Sequence, residues 1–217
     1  MNIQTERRIS VLLVDDHPPV RSGIRAMLEK TPDICIVGEA ENGTDACKLL
    51  EELRPDIILL DLVMPGFSPA AFERWARETY PKTSTLVLTS HDRDHLLASM
   101  MEAGAAGYLD KTIQREGLAD AIRRAACGER LFTDGQELRA QRWRREVEEK
   151  WNSLSEREKK ILRLLTVGAT HKYISAQLRI NPKTVEKHLE KIYRKLGVGS
   201  GTEAALWGSE HAGEFPY

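Results

Sequence analysis

Over residues 1–126, apolar positions recur with two alternating periods. Short apolar runs fall at Ile9–Val14, Ile34–Val37, Ile57–Leu60 and Leu86–Leu88, with a briefer one at Gly107–Leu109. Runs of this length predict strands buried on both faces. Between the runs, apolar residues stand at helical spacing. The sets are Val20, Ile24, Met27 and Leu28; Ala46, Leu49, Leu50 and Leu53; Phe72, Trp75 and Ala76; Leu96, Leu97, Met100 and Met101; and Leu118, Ala121, Ile122 and Ala125. Five strand–helix units predict a five-stranded parallel sheet covered on both sides. Right-handed crossovers make it a doubly wound α/β domain.

Beyond Ala126 the strand signal stops. Residues 127–150 are dense in charge, with Trp143, Val147 and Trp151 at i, i+4 and i+8. This predicts a helical linker whose tryptophan stripe packs on one neighbouring domain. From Leu154 onward the pattern is purely helical. Ser155 followed by Glu158 is a capping box opening a helix through Ile161, Leu162 and Leu165, and Gly168 fits its end. A short second helix holds Tyr173, Ile174 and Leu178. Asn181-Pro182 opens a third, with Val185, Leu189, Ile192 and Leu196 on one face and Gly197 at its end. A fourth short helix spans Glu203–Trp207. The expected limits are 8–126 for the α/β domain, 127–150 for the linker and 151–217 for an all-α domain.

The 217 residues are 41% apolar and 30% charged, which suits a soluble chain of two small domains. Net charge is −1, but it is unevenly spread. Residues 1–150 hold 21 Lys+Arg against 26 Asp+Glu, whereas residues 151–217 hold 11 against 7. An acidic body with a basic C-terminal unit points to nucleic acid for the second part only. No apolar stretch is long enough to span a membrane, and MNIQTERRIS has no apolar signal core, so a cytoplasmic protein without a membrane partner is expected. The three cysteines, Cys35, Cys47 and Cys127, are scattered and read as thiols in a reducing compartment. Phosphate-loop, zinc-protease and nucleophile-elbow motifs are absent.

The strand ends carry the polar chemistry. Strand one ends in Asp15 and Asp16, strand three in Asp61 and strand four in Thr89, and strand five runs into Lys111. In an open parallel sheet these ends converge on one edge, where ligands bind. Three carboxylates in one crevice repel one another unless a cation joins them, and oxygen-only ligands suit Mg²⁺. Lys111 supplies a point charge for a phosphoryl group and Thr89 a hydroxyl donor. Asp61 follows the most apolar strand and is the candidate nucleophile for an aspartyl-phosphate.

The segments VLLVDDHPPVRSG, PDIILLDLVMPG, LVLTS and AGAAGYLDK together resemble the signature segments of a response-regulator receiver domain, a flavodoxin-like fold. The resemblance implies that Asp61 accepts a phosphoryl group from a sensor histidine kinase. It further implies that Asp16 binds Mg²⁺ directly and Asp15 assists through water, with Asp61 and the backbone carbonyl of Val63 completing the protein ligands. Thr89 and Tyr108 match the family's switch pair, and Lys111 its phosphate-contacting lysine. Ser68-Pro69 departs from the family's usual pair after Met64-Pro65-Gly66; Pro69 stiffens that loop and is expected to open the third helix. A metal-dependent hydrolase needs a second acid near the nucleophile, but the residue two beyond Asp61 is Val63, so an enzyme acting on an external substrate is not expected.

In the all-α unit, the second and third helices form a helix–turn–helix with its turn at Leu178–Asn181. The third helix presents Lys183, Thr184, Lys187, His188, Lys191 and Arg194 away from its apolar face, as an element entering a major groove does. LSEREKKILRLLTVGATHKYISAQLRINPKTVEKHLEKIYRKLGV resembles the LuxR-type helix–turn–helix, and the chain as a whole resembles a response regulator of the NarL/FixJ type. This implies a transcription regulator that binds double-stranded DNA as a homodimer when phosphorylated. Lys183 and Thr184 would lie near phosphate and Glu186, Lys187 and Glu190 near bases, with Lys191 among the contacts and the fourth helix carrying the dimer contact. Glu186 and Glu190 admit two readings: acceptors for cytosine amines, or partners in i,i+4 pairs such as Glu190–Arg194. Those acidic residues also keep open a signalling module whose helical domain binds a protein instead of DNA.

Overall fold

The structure, a computed structural model, describes residues 8–90 and 92–211; residues 212–217 of the expected C-terminal domain lie outside the described residues. It divides into two compact units between Trp143 and Arg144.

The first unit alternates β1 (Ile9–Val14), α1 (Pro18–Leu28), β2 (Ile34–Ala40), α2 (Gly43–Leu53), β3 (Ile57–Leu60), α3 (Pro69–Thr79), β4 (Ser84–Thr89), α4 (Asp94–Ala103), β5 (Gly107–Asp110) and α5 (Arg115–Ala126). The strands lie in the order β2-β1-β3-β4-β5, and every neighbouring pair is parallel. Side chains alternate across this sheet. Leu12, Val14, Ile58 and Leu60 enter one core, whereas Val11, Leu13, Ile57 and Leu59 enter the other. Each of these side chains is at least 99% buried, a contribution of about 2 kcal/mol apiece before conformational entropy is set against it.

Local chemistry sets the helix starts. Asn42 caps α2 by accepting a hydrogen bond from the Asp45 N–H at 2.9 Å. Ser68 precedes α3 and Pro69 opens it, as the sequence predicts. Gly104 ends α4 at φ 103°, a conformation that favours glycine; a Cβ there would also lie 2.4 Å from Cδ of Arg77.

A helix α6 (Asp134–Ser153) follows. Just before it, Leu131 bridges Gly107 in parallel and donates its N–H to the Ala106 carbonyl at 2.6 Å. The tryptophan stripe of α6 does not pack on one domain as expected. Trp143 and the buried Ala140 join the core of the first unit, and Trp151 joins that of the second. The two residues lie on either side of the division, so each finds its own unit's apolar surface.

The second unit comprises the rest of α6 with α7 (Glu156–Thr166), α8 (His171–Leu178), α9 (Pro182–Leu196) and α10 (Gly201–Glu210). The capping box at Ser155 and Glu158 forms in both directions. Lys195 Nζ also reaches Glu158 Oε2 at 2.7 Å and the Ser153 carbonyl at 2.6 Å, tying α9 to the start of α7. The turn between α8 and α9 passes through left-handed Arg179, and Asn181 caps α9 by accepting from the Lys183 N–H at 2.9 Å. Ile161, Ile174, Val185 and Ile192 are fully buried in its core. The last helix is longer than its apolar pattern suggests. Ser200 accepts from the Glu203 N–H while the Glu203 carboxylate accepts from the Gly199 N–H, moving the start upstream.

Candidate functional site

The carboxyl ends of β1, β3 and β5 bring three residues from distant parts of the sequence into contact. Lys111 Nζ lies 2.7 Å from Asp15 Oδ2 and 2.9 Å from Asp61 Oδ2. Both carboxylates are buried, Asp15 at 1% exposure and Asp61 at 4%. The backbone fixes them. Asp61 donates its N–H to the Val14 carbonyl at 2.8 Å, and its Oδ1 accepts from the Leu62 N–H at 2.8 Å. Asp15 donates its N–H to the Ala40 carbonyl at 3.0 Å, and its Oδ1 accepts from the His17 N–H at 2.8 Å. Arg21 Nη1 donates to the Asp15 carbonyl at 2.6 Å. Burial by itself would depress the Lys111 ammonium, but hydrogen bonds and charge from Asp15 and Asp61 outweigh it and hold its pKa above the usual lysine value.

Asp16 stands beside this group. Its Oδ1 is shielded from solvent, with His17 Nδ1 2.7 Å away. One ligand atom from each of Asp15, Asp16, His17 and Asp61 falls within 4.8 Å of the others. Two carboxylates share one ammonium, and the third, Asp16, stands beside them without a lysine or arginine partner among the described residues. That donor set fits a hard divalent cation. His17 stands at the N-cap of α1 with its ring against the acidic pair. Its adjacency to Asp15-Asp16 was the signal available.

Thr89 and Tyr108 are both buried, at 2% and 4% exposure, on adjacent strands where Tyr108 pairs with Val87 and Thr89 with Asp110. The Thr89 carbonyl accepts from the Lys111 N–H at 3.1 Å. Burial raises the Tyr108 pKa above the ordinary tyrosine value, and the negative charge of Asp92 adds to this; the backbone of Arg93 and the charge of Arg139 oppose both. Val63 follows β3 in an exposed loop, at 44% exposure.

In the second unit α9 buries Val185, Leu189, Ile192 and Leu196 and exposes Lys183, Glu186, Lys187, Glu190, Lys191 and Arg194; Thr184 is half-buried. The Glu190–Arg194 pair, one of the two readings open for these glutamates, is not formed. Among the described residues, the carboxylates of Glu186 and Glu190 make no ion pair and no hydrogen bond.

An acidic pocket with a bridging lysine at the edge of a 2-1-3-4-5 sheet, joined to a helix–turn–helix, defines a class: a signal-receiving domain coupled to a DNA-recognition domain. Residues 11–123 match the response regulator receiver domain, and residues 152–207 match the bacterial regulatory proteins of the luxR family. The chain is 40% identical over 202 residues to the transcriptional regulatory protein LiaR of Bacillus subtilis, covering 92% of this chain and 96% of that one. It is 35% identical over 204 residues to the nitrate/nitrite response regulator protein NarL of Escherichia coli K12, covering 91% and 94%. It also resembles RcsB of Salmonella enterica serovar Typhimurium, solved bound to promoter rprA with phosphomimetic BeF₃⁻, at 26% identity and TM-score 0.58 over 93% of this chain and 99% of that one. The chain belongs to the NarL/FixJ-type two-component response regulators, with a receiver domain and a LuxR-type DNA-binding domain. The family regulates transcription. Among the described residues no helix is long and apolar enough to cross a membrane.

Proposed function

We propose that Asp61 receives a phosphoryl group from a sensor histidine kinase and that this gates dimerisation and sequence-specific binding to double-stranded DNA. The contact of Lys111 with both Asp15 and Asp61 carries the reading: it places a cation and a paired carboxylate around the oxygen that would attack phosphorus. Asp61 Oδ2 forms the P–O bond as the P–N bond to the kinase histidine breaks. Asp15, Asp16, Asp61 and the Val63 carbonyl would hold Mg²⁺, which neutralises phosphoryl charge when bound. Lys111 then shifts from the carboxylates to one phosphoryl oxygen, and the Thr89 hydroxyl donates to another. Movement of Thr89 frees space for Tyr108 and changes the face made by α4, β5 and α5, a local bond change that biases a packing equilibrium.

On DNA, Lys183 and Thr184 serve phosphates, and Glu186, Lys187, Glu190 and Lys191 face the groove, with α10 as the dimer contact. We assign residues 8–126 to the receiver, 127–150 to the linker and 151–217 to the DNA-binding domain, and the protein to the cytoplasm.

The experiment is capture of sheared genomic DNA by the full chain in Mg²⁺, with and without beryllium fluoride. Specific fragments enriched only with beryllium fluoride are expected. Equal enrichment in both conditions removes phosphorylation control of binding. No enrichment in either favours a protein partner for the helical domain, the reading that the two glutamates of α9 keep in play.

A further inference from the structure

The outward face of α9 is not uniformly basic. At about 100° per residue, Lys183, Lys187, Glu190 and Arg194 lie opposite the buried stripe, with Glu186 on one flank. Both glutamates are exposed, and neither is neutralised by the cations within reach on the same helix. Two like charges four residues apart disfavour the helix slightly. On a surface that meets phosphates they also oppose binding, unless each finds a donor in the groove.

The groove offers few donors. Guanine N7 and O6 and thymine O4 are acceptors and repel a carboxylate, which itself only accepts. Adenine offers its N6 amine, but beside N7, which repels the second oxygen. Cytosine presents its N4 amine with an acceptor, the O6 of the paired guanine, on one side only, whereas the adenine amine has acceptors on both sides. The Cβ atoms of residues four apart on a helix stand about 6 Å apart, close to two base-pair steps at about 3.4 Å per step.

We infer that Glu186 and Glu190 are specificity-determining residues of this regulator, each reading the exocyclic amine of a cytosine in the half-site. The inference rests on the DNA-binding function proposed above. The flanking Lys183, Lys187, Lys191 and Arg194 supply the sequence-independent attraction that these two charges reduce.

The test is selection from a random double-stranded library by the full chain in Mg²⁺ and beryllium fluoride, with wild type, Glu186→Gln, Glu190→Gln and the double alanine variant. All four are expected to keep the same circular dichroism, with Tm equal or slightly raised in the variants, because neither carboxylate makes an ion pair or hydrogen bond. Wild type should select two cytosine positions. Each glutamine variant should change one of them towards adenine, whose N6 and N7 a glutamine matches, by about tenfold or more, and leave the other unchanged. A wild-type motif without cytosine at either position overturns the inference. So does a double variant that binds all sequences more tightly with its motif intact, which would make the glutamates repelling charges only. If wild type selects nothing, the DNA-binding reading fails first and the inference falls with it.

Discussion

Lys111 balances the charge of the receiver pocket. With its side chain 14% exposed it touches two buried carboxylates, so removing it leaves both facing each other in low dielectric. Lys111→Ala is expected to lower stability by about 2 kcal/mol in EDTA, with part of the loss restored by Mg²⁺, as read by urea denaturation. No loss in EDTA would show that solvent, not Lys111, compensates the pocket. Glu73 poses the opposite problem. It is 2% exposed on α3, and its Oε2 has no hydrogen bond. Burial pushes its pKa above the usual glutamate value, against the Thr85 hydrogen bond and the charge of Arg77. The folded protein therefore binds this proton more tightly than the unfolded chain. The stability it brings is full below the ordinary glutamate value of about 4.3 and is lost as pH rises through the raised one. Glu73→Gln is expected to leave stability unchanged near pH 4 and to increase it near pH 8; denaturation at both values checks the sign. The sequence did not disclose this site. Helical spacing puts Phe72, Trp75 and Ala76 on the core side, and Phe72 and Ala76 are there, but Trp75 is 36% exposed while neighbouring Glu73 is buried. Periodicity orients a helix to within a residue or so, which cannot tell a stripe's edge from its centre.

At the scale of elements, the strands were legible because most carry a short apolar run through their length and the central ones are buried on both faces. The site was legible for a related reason: parallel topology sends every strand end to one edge, so Asp15, Asp61 and Lys111 could be placed together without knowing a distance. The docking of α6 was not legible. Arg139 bonds Asp92 at 2.7 and 3.0 Å and Asp94 at 2.8 Å, and Gln136 donates to the Tyr108 carbonyl at 2.9 Å. These contacts join a charged segment of weak periodicity to residues up to 47 positions away, and polar pairing leaves no pattern along the chain. Arg139→Gln should loosen the first turns of α6. Amide exchange across 134–143 is expected to quicken by an amount worth about 1 kcal/mol or less, because the fork is partly solvated, and high salt should reproduce much of the effect in wild type. Unchanged exchange would assign the docking to Gln136, Ala140 and Trp143.

Across the whole molecule, the charge partition was the sequence's clearest pointer to division of labour. The acidic part holds the carboxylate pocket and the basic part the helix–turn–helix, and the net charge of −1 conceals both. The pairing of β1 with both β2 and β3 bears on how the chain first acquires its shape. β1 is made early, yet it pairs at Ile9 with Ile34 and at Val11 with Ile57, so its second neighbour arrives some 46 residues later. Until then one hydrogen-bonding edge of a largely apolar strand stands open, an invitation to aggregation during synthesis. Such distant pairings close slowly, whereas the α7–α10 unit is built from near neighbours and closes fast. Refolding followed by tryptophan emission should therefore show two phases. Replacing Trp151 and Trp207 by phenylalanine should remove the faster one and leave the slower one to Trp75 and Trp143. Equal loss from both phases would mean that the nascent chain waits for its helices as long as for its sheet.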